Sequence, residues 1–509
     1  MALAKVKSAE IVGLEGVLVE VEVDISRGLP SLTIVGLGDK AVEEAKERVR
    51  SAIRNSFTDL PERKIIVNLA PADLPKIGPS YDLSIAMGIL LASGQLNPDP
   101  DKIENSLFIG ELSLDGSLRQ TRGVLPMVLA AQSWGIKNIY LPKENLEEAK
   151  IVPGFELFPI TELRELIFYF RKEKELFPVK SGVKIQEEEA GDFRFDFAFI
   201  KGQEQAKRAL EIAAAGGHNV FLTGPPGSGK TLLAKSFPSI LPKMGMAEIL
   251  EVTKIYSVAG LLTSKKPLIL QRPFRSPHHT SSDIALVGGG RHPSPGEISL
   301  AHRGVLFLDE LPEFSRSVLE VLRQPLEDGV VTISRAAGSV TMPAKFILIG
   351  ASNPCPCGYL SDPKKECRCS PVQISRYQKK ISGPLLDRID LYSEVPRLEY
   401  EKLADEKVAE ESKFIRERVQ KARDLQEGRF LGQNLCTNAE MGPAEIKVYC
   451  RIDEATSELL KTATTQLSLS ARSYHKILKI ARTIADLEGE PEILKHHLAE
   501  ALQYRPKEK

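Results

Sequence analysis

Alternation of apolar and polar residues predicts several β-strands in the first third of the chain. Residues 17–25 place five apolar side chains on one face, with mainly acidic residues between them. Residues 31–35 and 64–69 are two more predicted strands, while residues 39–55 carry acids early and arginines late, which favours a helix. We therefore predict a mixed α/β domain over residues 1–170.

Continuous apolar runs, rather than alternating ones, mark the middle of the chain. Residues 219–223, 304–308 and 346–352 have this pattern, which is typical of parallel strands buried on both faces. They predict an α/β core with a parallel sheet over residues 193–396. The preceding residues 171–192 contain charge runs and are predicted to be a linker.

The last part of the chain has the periodicity of helices. Residues 399–427 are highly charged, whereas residues 471–487 bring their apolar side chains onto one stripe. We predict a helical domain over residues 397–509, with that stripe in its core.

Composition sets limits on the class of protein. A chain of 509 residues with a hydrophobic fraction of 42% can form several cores. Lysine plus arginine and aspartate plus glutamate each number 68, so net charge does not identify a polyanionic partner. No apolar run reaches membrane-spanning length and the N-terminus lacks a signal-peptide core. We expect a cytoplasmic protein with no membrane partner.

A glycine-rich turn between a predicted strand and a predicted helix carries the strongest motif. It fits G-x-x-x-x-G-K-[ST] in full. Its glycines let backbone N–H groups surround phosphates, and the helix N-terminus adds positive charge. The motif comprises Gly224, Pro225, Pro226, Gly227, Ser228, Gly229, Lys230 and Thr231. It predicts ATP binding, with Lys230 on the β- and γ-phosphates and Thr231 on Mg²⁺.

Two acids end the next buried strand. Asp309 is expected to hold Mg²⁺ and its waters, together with Thr231. Glu310 is expected to orient and polarise the attacking water. A strand followed by two acids some 80 residues after a phosphate loop predicts a Walker B strand.

Further residues resemble parts of AAA+ ATPases. Asn353, which ends the third apolar run, is similar to sensor 1, and Ile200 and Gly202 lie in a segment similar to the one that packs on adenine. The resemblance implies that Arg388, in L-x-D-R-x-D-L, acts on the γ-phosphate of a neighbouring subunit, and that Arg472 is sensor 2, which couples the lid to the nucleotide. The alternative for Arg388 is a local contact with one of the two flanking aspartates.

Two segments of the AAA+ region point toward DNA. Residues 330–342 read as a β-hairpin, and residues 272–295 form an insert rich in Gly, Pro, Arg and His. Both resemble elements of the AAA+ branch that contains magnesium chelatase and the MCM helicases, where such an insert projects toward the central pore. Flexible glycines with cations suit contact with phosphates; a solvated loop or a subunit contact is the alternative. The candidate DNA contacts are Arg272, Arg275, Arg291 and Arg335.

Four of the six cysteines cluster in residues 355–369. Cys355, Cys357, Cys367 and Cys369 form two C-x-C pairs that could close a tetrahedral thiolate site. The polar residues between them have no core of their own, which favours structural Zn²⁺ over free thiols. Four thiolates leave no open position for catalysis.

The first domain resembles the proteolytic domain of Lon proteases. Residues 75–80 match P-K-x-G-P-S, in which the serine, here Ser80, is the nucleophile. A serine nucleophile needs a base, and in Lon that base is a lysine whose position falls on Leu125. Residues 114–131 contain no lysine. We predict an inactive domain without peptidase activity, in which Ser80 is a turn residue or a helix N-cap.

In combination, these motifs identify the chain as a member of the bacterial magnesium-chelatase-like AAA+ ATPases, the YifB/ComM family, from about residue 5 to 503. The resemblance implies a Lon-like domain, a P-loop core and a helical lid, and a cytoplasmic ATPase that assembles as a hexameric ring. ComM is implicated as a DNA helicase for branch migration in natural transformation, so single-stranded or branched DNA is the expected partner. A metal-chelatase motor and a protein remodeller are the alternatives, and an ATP-dependent protease is disfavoured.

Overall fold

A computed structural model describes residues 2–182, 195–290, 293–335, 338–360, 362, 364–398, 409–433, 435–467 and 469–506. The described chain forms two compact units. The first comprises residues within 1–189, with 249–269 and 290–294, and the second comprises 190–248, 270–289 and 295–509. No helix among the described residues is both long and apolar enough to cross a membrane.

An eight-stranded mixed sheet organises the first unit, in the order β10-β9-β8-β5-β1-β2-β4-β3, while β6 and β7 form a separate hairpin. The strands are β1 (Ala2–Val12), β2 (Glu15–Ser26), β3 (Ser31–Val35), β4 (Lys64–Ala70), β5 (Ser106–Phe108), β6 (Glu111–Leu112), β7 (Leu118–Arg119), β8 (Asn138–Pro142), β9 (Glu156–Ile160) and β10 (Val179–Lys180). The helices are α1 (Lys40–Asn55), α2 (Asp82–Ala92), α3 (Pro100–Glu104), α4 (Val124–Ala131), α5 (Leu146–Ala149) and α6 (Leu163–Phe170).

The predicted patterns explain these elements. Every second residue of β2 from Val19 to Ile25 is buried, as the alternation requires. Helix α1 begins where the Asp39 carboxylate accepts the N–H of Val42 at 3.0 Å, which is an N-cap. Helix α2 is buried on almost all sides, because it packs against β1 and β2 in the interior of the unit. The mixed α/β class is confirmed.

The second unit contains a five-stranded parallel sheet in the order β12-β15-β18-β11-β19. The remaining strands are β11 (Val220–Thr223), β12 (Phe274–Arg275), β13 (Gly288–Gly289), β14 (Ser294–Pro295), β15 (Val305–Leu308), β16 (Val330–Arg335), β17 (Gly338–Pro343), β18 (Ile347–Ser352) and β19 (Leu391–Glu394). The helices between residue 195 and the lid are α7 (Glu204–Gly216), α8 (Lys230–Ser236), α9 (Met246–Val258), α10 (Asp283–Val287), α11 (Glu297–Leu300), α12 (Arg316–Val321), α13 (Arg323–Asp328), α14 (Pro371–Gln378) and α15 (Gly383–Leu386), and most of α9 belongs to the first unit.

The continuous apolar runs are fully buried strands, as predicted: every residue of β15 and of β18 is buried. The hairpin is present as β16 paired antiparallel with β17. The lid is helical, and the apolar stripe of α19 lies in the core. Its helices are α16 (Ser412–Arg429), α17 (Pro443–Tyr449), α18 (Glu454–Gln466), α19 (Ala471–Glu488) and α20 (Lys495–Ala501).

Two features differ from the predicted segments. Strand β10 lies where a linker was expected, because Val179 and Lys180 pair with the edge of β9 and satisfy its backbone groups. Residues 249–269, expected in the nucleotide module, pack in the first unit. There Ser257 donates a hydrogen bond to the buried Glu148 carboxylate. The start of the helix predicted for residues 399–427 lies outside the described residues.

Candidate functional site

The register of the parallel sheet brings three predicted motifs together at the carboxyl ends of its strands. Thr223 of β11 lies opposite Ser352 of β18, and Leu308 of β15 lies opposite Gly350 of β18. The residues that follow these strands therefore meet beyond their carboxyl ends, where open α/β sheets bind ligands. They are the phosphate loop, Asp309 with Glu310, and Asn353.

The phosphate loop is open toward its concave side. Gly227 and Gly229 have φ angles of 75° and 97°, which favour glycine, and an added Cβ would meet no atom within 4 Å at either position. Among the described residues, their N–H groups have no hydrogen-bond partner in the protein. Next to the start of α8, these donors form an anion-binding concavity.

The Lys230 side chain is held inside the loop. Its Nζ donates to the carbonyl oxygens of Gly224 at 2.7 Å and Pro225 at 2.9 Å, and to Asn353 Oδ1 at 3.2 Å. Burial lowers the pKa of Lys230, while the charges of Asp309 and Glu310 oppose that shift. The structure thus joins the phosphate-loop lysine to the sensor-1 candidate.

The two Mg²⁺ ligand candidates are in contact. Thr231 Oγ1 donates to Asp309 Oδ2 at 2.7 Å. Octahedral Mg²⁺ has oxygen ligands at about 2.1 Å, so neighbouring ligands lie about 3 Å apart. A hydroxyl and a carboxylate at this separation fit two adjacent positions around Mg²⁺, with the remainder left for phosphate and water.

Glu310 has an unusual backbone and a partner that the motif analysis missed. Its φ is 52°, in the left-handed region, and its side chain is 56% exposed. His279 Nδ1 lies 3.6 Å from Glu310 Oε2. Sequence analysis had placed this histidine only in a loop, because nothing in its local pattern marks a contact 31 residues further along the chain.

The segment that resembles the adenine-binding region is fixed to the phosphate loop. Ile200 is buried, and Gly202 has a φ of 56°. A Cβ on Gly202 would lie 2.9 Å from Leu398. Gln203 was not predicted to matter, but its Nε2 donates to the carbonyl oxygens of Ser228 at 3.3 Å and Pro396 at 2.7 Å.

Arg388 lies at the amino end of strand β11, whereas Lys230 lies at its carboxyl end. Its carbonyl oxygen accepts a hydrogen bond from Asn219, the residue before β11, whereas Lys230 contacts Gly224, the residue after it. The four residues of β11 separate the two ends of this strand by about 13 Å. The guanidinium pairs with Glu327, not with either flanking aspartate.

Several other cations lie near Arg388. Its Nε is buried without a hydrogen-bond partner among the described residues, and burial, with the nearby Arg472, lowers its pKa. Arg388 and Arg472 line one cavity of about 700 Å³, together with Lys476 and Lys479. The two arginines that resemble sensor 2 and the arginine finger therefore lie together, away from Lys230 of the same chain.

A buried carboxylate connects this cavity to the phosphate-loop strand. Asp390 Oδ2 accepts the N–H of Asn219 at 3.0 Å, and Asp390 Oδ1 lies 3.7 Å from Lys476 Nζ. Burial would raise the pKa of Asp390, but hydrogen bonding from His218 and the charge of Lys476 hold it at about 2. Because Lys476 follows Arg472 by one helical turn, Asp390 joins the lid helix to the core.

The four clustered cysteines converge. Three Sγ–Sγ distances are 3.4 Å for Cys355–Cys357, 3.7 Å for Cys355–Cys367 and 3.6 Å for Cys357–Cys367, and all four Sγ atoms lie within 4.8 Å of one another. Tetrahedral Zn–S bonds of about 2.3 Å require Sγ atoms about 3.8 Å apart. The loop can therefore hold a metal. It also abuts the phosphate loop, because a Cβ on Gly358 would lie 2.5 Å from Pro226.

The DNA-contact candidates have different surroundings. Arg272 donates to both carboxylate oxygens of Glu248 and to three carbonyl oxygens, and Arg275 makes two 2.6 Å bonds to Glu297. Either arginine would have to exchange a carboxylate partner for a phosphate in order to contact DNA. Arg291 and the side chain of Arg335 lie outside the described residues.

The serine of the first unit is enclosed. Ser80 is 6% exposed and lies in the turn before α2, without capping it. Leu125, where the resemblance to Lon would place the lysine, is fully buried in α4. The nearby Lys76 is also fully buried, and its Nζ donates to the Pro71 carbonyl oxygen.

Family models match the chain in three segments. The model described as magnesium chelatase, subunit ChlI, matches residues 196–403. The model of subunit ChlI of Mg-chelatase matches residues 21–145. The model of the C-terminal part of magnesium chelatase subunit ChlI matches residues 409–505.

Relatives match over nearly the whole length. Competence protein ComM of Haemophilus influenzae is 45% identical over 99% of this chain and 98% of its own. The uncharacterized protein YifB of Escherichia coli is 42% identical over 99% of this chain and 97% of its own. Magnesium-chelatase subunit ChlI of Cyanidium caldarium is 26% identical over 50% of this chain and 74% of its own.

Proposed function

The chain belongs to the magnesium-chelatase-like AAA+ family that includes ComM and YifB, and on this premise we propose that it is an ATP-hydrolysing hexameric ring motor that acts on DNA. Its ATPase activity is supported by the family, by the contact of Lys230 with Asn353 and by the contact of Thr231 with Asp309. The competence name of the ComM relative supports a more specific role as a helicase for branch migration during natural transformation or recombination.

The observation that carries the oligomeric part of this proposal is the position of Arg388. It lies at the amino end of β11, and Lys230 of the same chain lies at the carboxyl end of that strand. Arg388 is beside Arg472. A cation acting on the γ-phosphate must lie next to it. We therefore assign the ATP site to two subunits, one supplying Lys230, Thr231, Asp309 and Glu310, and its neighbour supplying Arg388 with Arg472.

Mixing two inactive variants tests the shared site. Lys230→Ala and Arg388→Ala should each lose ATP hydrolysis. In rings formed from an equal mixture, about one quarter of head-to-tail interfaces regain both residues, so up to about one quarter of the wild-type rate should return. Lys235→Ala, an exposed lysine on the same helix as Lys230, is the control and should keep full activity. Rings that assemble but recover no activity would contradict the shared site.

The DNA part is tested separately by measuring ATP turnover with and without single-stranded and forked DNA. We expect stimulation by DNA in the wild type and none in either variant. Arg335 remains our hairpin candidate for DNA contact, and Arg335→Ala should weaken DNA binding and unwinding. A rate that does not respond to DNA would favour a protein-remodelling or metal-chelatase-type motor instead.

We also propose that Cys355, Cys357, Cys367 and Cys369 hold one structural Zn²⁺. Its chemistry is charge neutralisation and cross-linking of four thiolates. The cysteines would thereby fix the loop beside Pro226. Elemental analysis of protein purified without chelator should find about one zinc per chain, and Cys357→Ser with Cys369→Ser should abolish it. Much less than one zinc in the wild type would refute the assignment.

A further inference from the structure

A groove on the second unit has a concentration of positive charge that the ATP site does not use. Four cations line it: Arg316 at the start of α12, and Arg376, Lys379 and Lys380 on or just after α14. All four are exposed. The groove has a volume of about 1000 Å³, which is enough for several nucleotide-sized groups.

Three of the four cations make no close ion pair with any described residue. Lys380 pairs with Glu313 at 3.1 Å, but Arg316, Arg376 and Lys379 have no ion-pair partner within the described parts of the chain. Residues 364–380 contain six basic side chains and one acidic side chain, in a chain whose net charge is zero. Such clustering of cations is the electrostatic footprint of a polyanion-binding surface.

The backbone holds the cations on a rigid support. Ser370 and Gln373 form a capping box at the start of α14, immediately after the cysteine loop. Gln378 Nε2 donates to the Pro354 carbonyl oxygen at 3.2 Å, and Tyr377 is buried beneath the helix. The side chains of Arg376 and Lys379 therefore project from a fixed helix face, which suits repeated contacts along a phosphate backbone.

Apolar surface lies between the cations. Val372 is 69% exposed, and Pro312 and Pro371 line the same groove. Bases and sugars of a single strand present apolar faces together with phosphates, whereas the outside of a duplex presents mainly phosphates. A groove that combines cations with apolar surface thus fits a single strand better than a duplex.

Both walls of the groove are continuous with the ATP site. Glu313 follows the Walker B residue Glu310 by one short 3₁₀ turn, and Gln378 is anchored next to Asn353 through Pro354. A strand in the groove would touch both segments, so occupancy and the positions of Glu310 and Asn353 would be linked.

We propose that the groove between α12 and α14 binds the phosphate backbone of single-stranded DNA and conveys its presence to the ATP site. The inference rests on the proposed DNA motor function. It adds a second contact surface, formed by residues outside the hairpin and outside the insert of residues 272–295.

The test uses a triple variant, Arg316→Gln, Arg376→Gln and Lys379→Gln, in the full-length protein. None of these residues belongs to the ATP site. The control carries Lys265→Gln, Lys266→Gln and Lys461→Gln, which remove the same charge from exposed positions elsewhere. Assembly, ATP turnover with and without DNA, and binding of fluorescent single-stranded and duplex oligonucleotides are measured from low to moderate salt.

We expect the groove variant to assemble and to keep its basal ATP turnover. Its affinity for single-stranded DNA should fall roughly tenfold or more. The negative slope of log K against log salt should become shallower by about 2, because each lost phosphate contact accounts for about 0.7. DNA stimulation of ATP turnover should fall with it. The control should bind and respond like the wild type.

Several results would overturn the inference. They are wild-type affinity in the groove variant, an equal loss in the control, loss of duplex binding alone, or failure to assemble, which would make the groove a subunit contact. If the wild type binds no DNA, the proposed function fails as well. If the wild type binds DNA and the groove variant binds equally well, only this inference fails.

Discussion

Residues 75–80 in the first unit and residues 224–231 in the second are both turns with proline, glycine and a buried lysine, but their polar groups have different partners. In the first turn, the N–H groups of Ile77 and Gly78 donate to the carboxylates of Glu10 at 2.7 Å and Asp39 at 3.3 Å. In the second, the N–H groups of Gly227 and Gly229 have no such acceptor within the described chain.

This difference shows why we expect the second turn to bind an anion and the first turn not to. A site can bind an anion only if its donors are free of the protein's own acceptors. The carboxylates of Glu10 and Asp39 occupy that place in the first turn, so it stabilises the fold. The phosphate loop keeps its donors for a ligand.

The largest effect should come from Lys230→Ala. Loss of this cation removes stabilisation of the transferring phosphoryl group, and ATP turnover should fall by about 100-fold or more. The melting temperature should change little, because loss of the three Lys230 hydrogen bonds is opposed by relief of the cost of burying its charge. Turnover assays and thermal unfolding check this. A variant that keeps more than a tenth of wild-type turnover would contradict the assignment of the second turn.

Glu10→Ala should give the next largest effect, on stability. It leaves the partly buried N–H groups of Ile11 and Ile77 and the buried Tyr81 hydroxyl without their acceptor, so the first unit should lose about 3 kcal/mol. Urea unfolding measures the change, and exposed Glu62→Ala is the control. A loss within the range of that surface control would refute a stabilising role for the first turn.

Matched glycine substitutions compare the turns directly. Gly78 and Gly227 have φ angles of 83° and 75°, and a Cβ on either would meet no atom within 4 Å. Gly78→Ala and Gly227→Ala should each cost about 1 kcal/mol of backbone strain. Only Gly227→Ala should also diminish the rise in melting temperature that ATP produces. An equal loss of the ATP effect in both variants would contradict the comparison.

Ser80→Ala should have the smallest effect. Stability should change by less than about 0.5 kcal/mol, with ATP turnover unaltered, because the serine is enclosed and lacks a lysine at the Leu125 position. Casein incubated with ATP and either protein should remain intact. Cleavage by the wild type that disappears in the variant would make the first unit a peptidase.

Local sequence patterns determined much of this protein. Strand β2 and helix α1 followed from apolar period and capping, because both depend on neighbouring residues. The phosphate loop and the acids after β15 followed from motif spacing. Parallel pairing then places those acids and Asn353 beside the loop, because the carboxyl ends of adjacent parallel strands lie side by side.

Only the tertiary structure decided which charges remain available. Arg272 and Arg275 lie in an insert whose composition suits contact with DNA. Each is paired with a carboxylate, Glu248 for Arg272 and Glu297 for Arg275, which lies 24 or 22 residues away in the chain. The sequence suggested a flanking aspartate as the alternative partner of Arg388, whereas its ion-pair partner in the structure is Glu327. No sequence motif marks Arg376 and Lys379, yet they line a groove with Arg316. Charge compensation depends on which distant carboxylate lies within about 3 Å, and no local pattern encodes that distance.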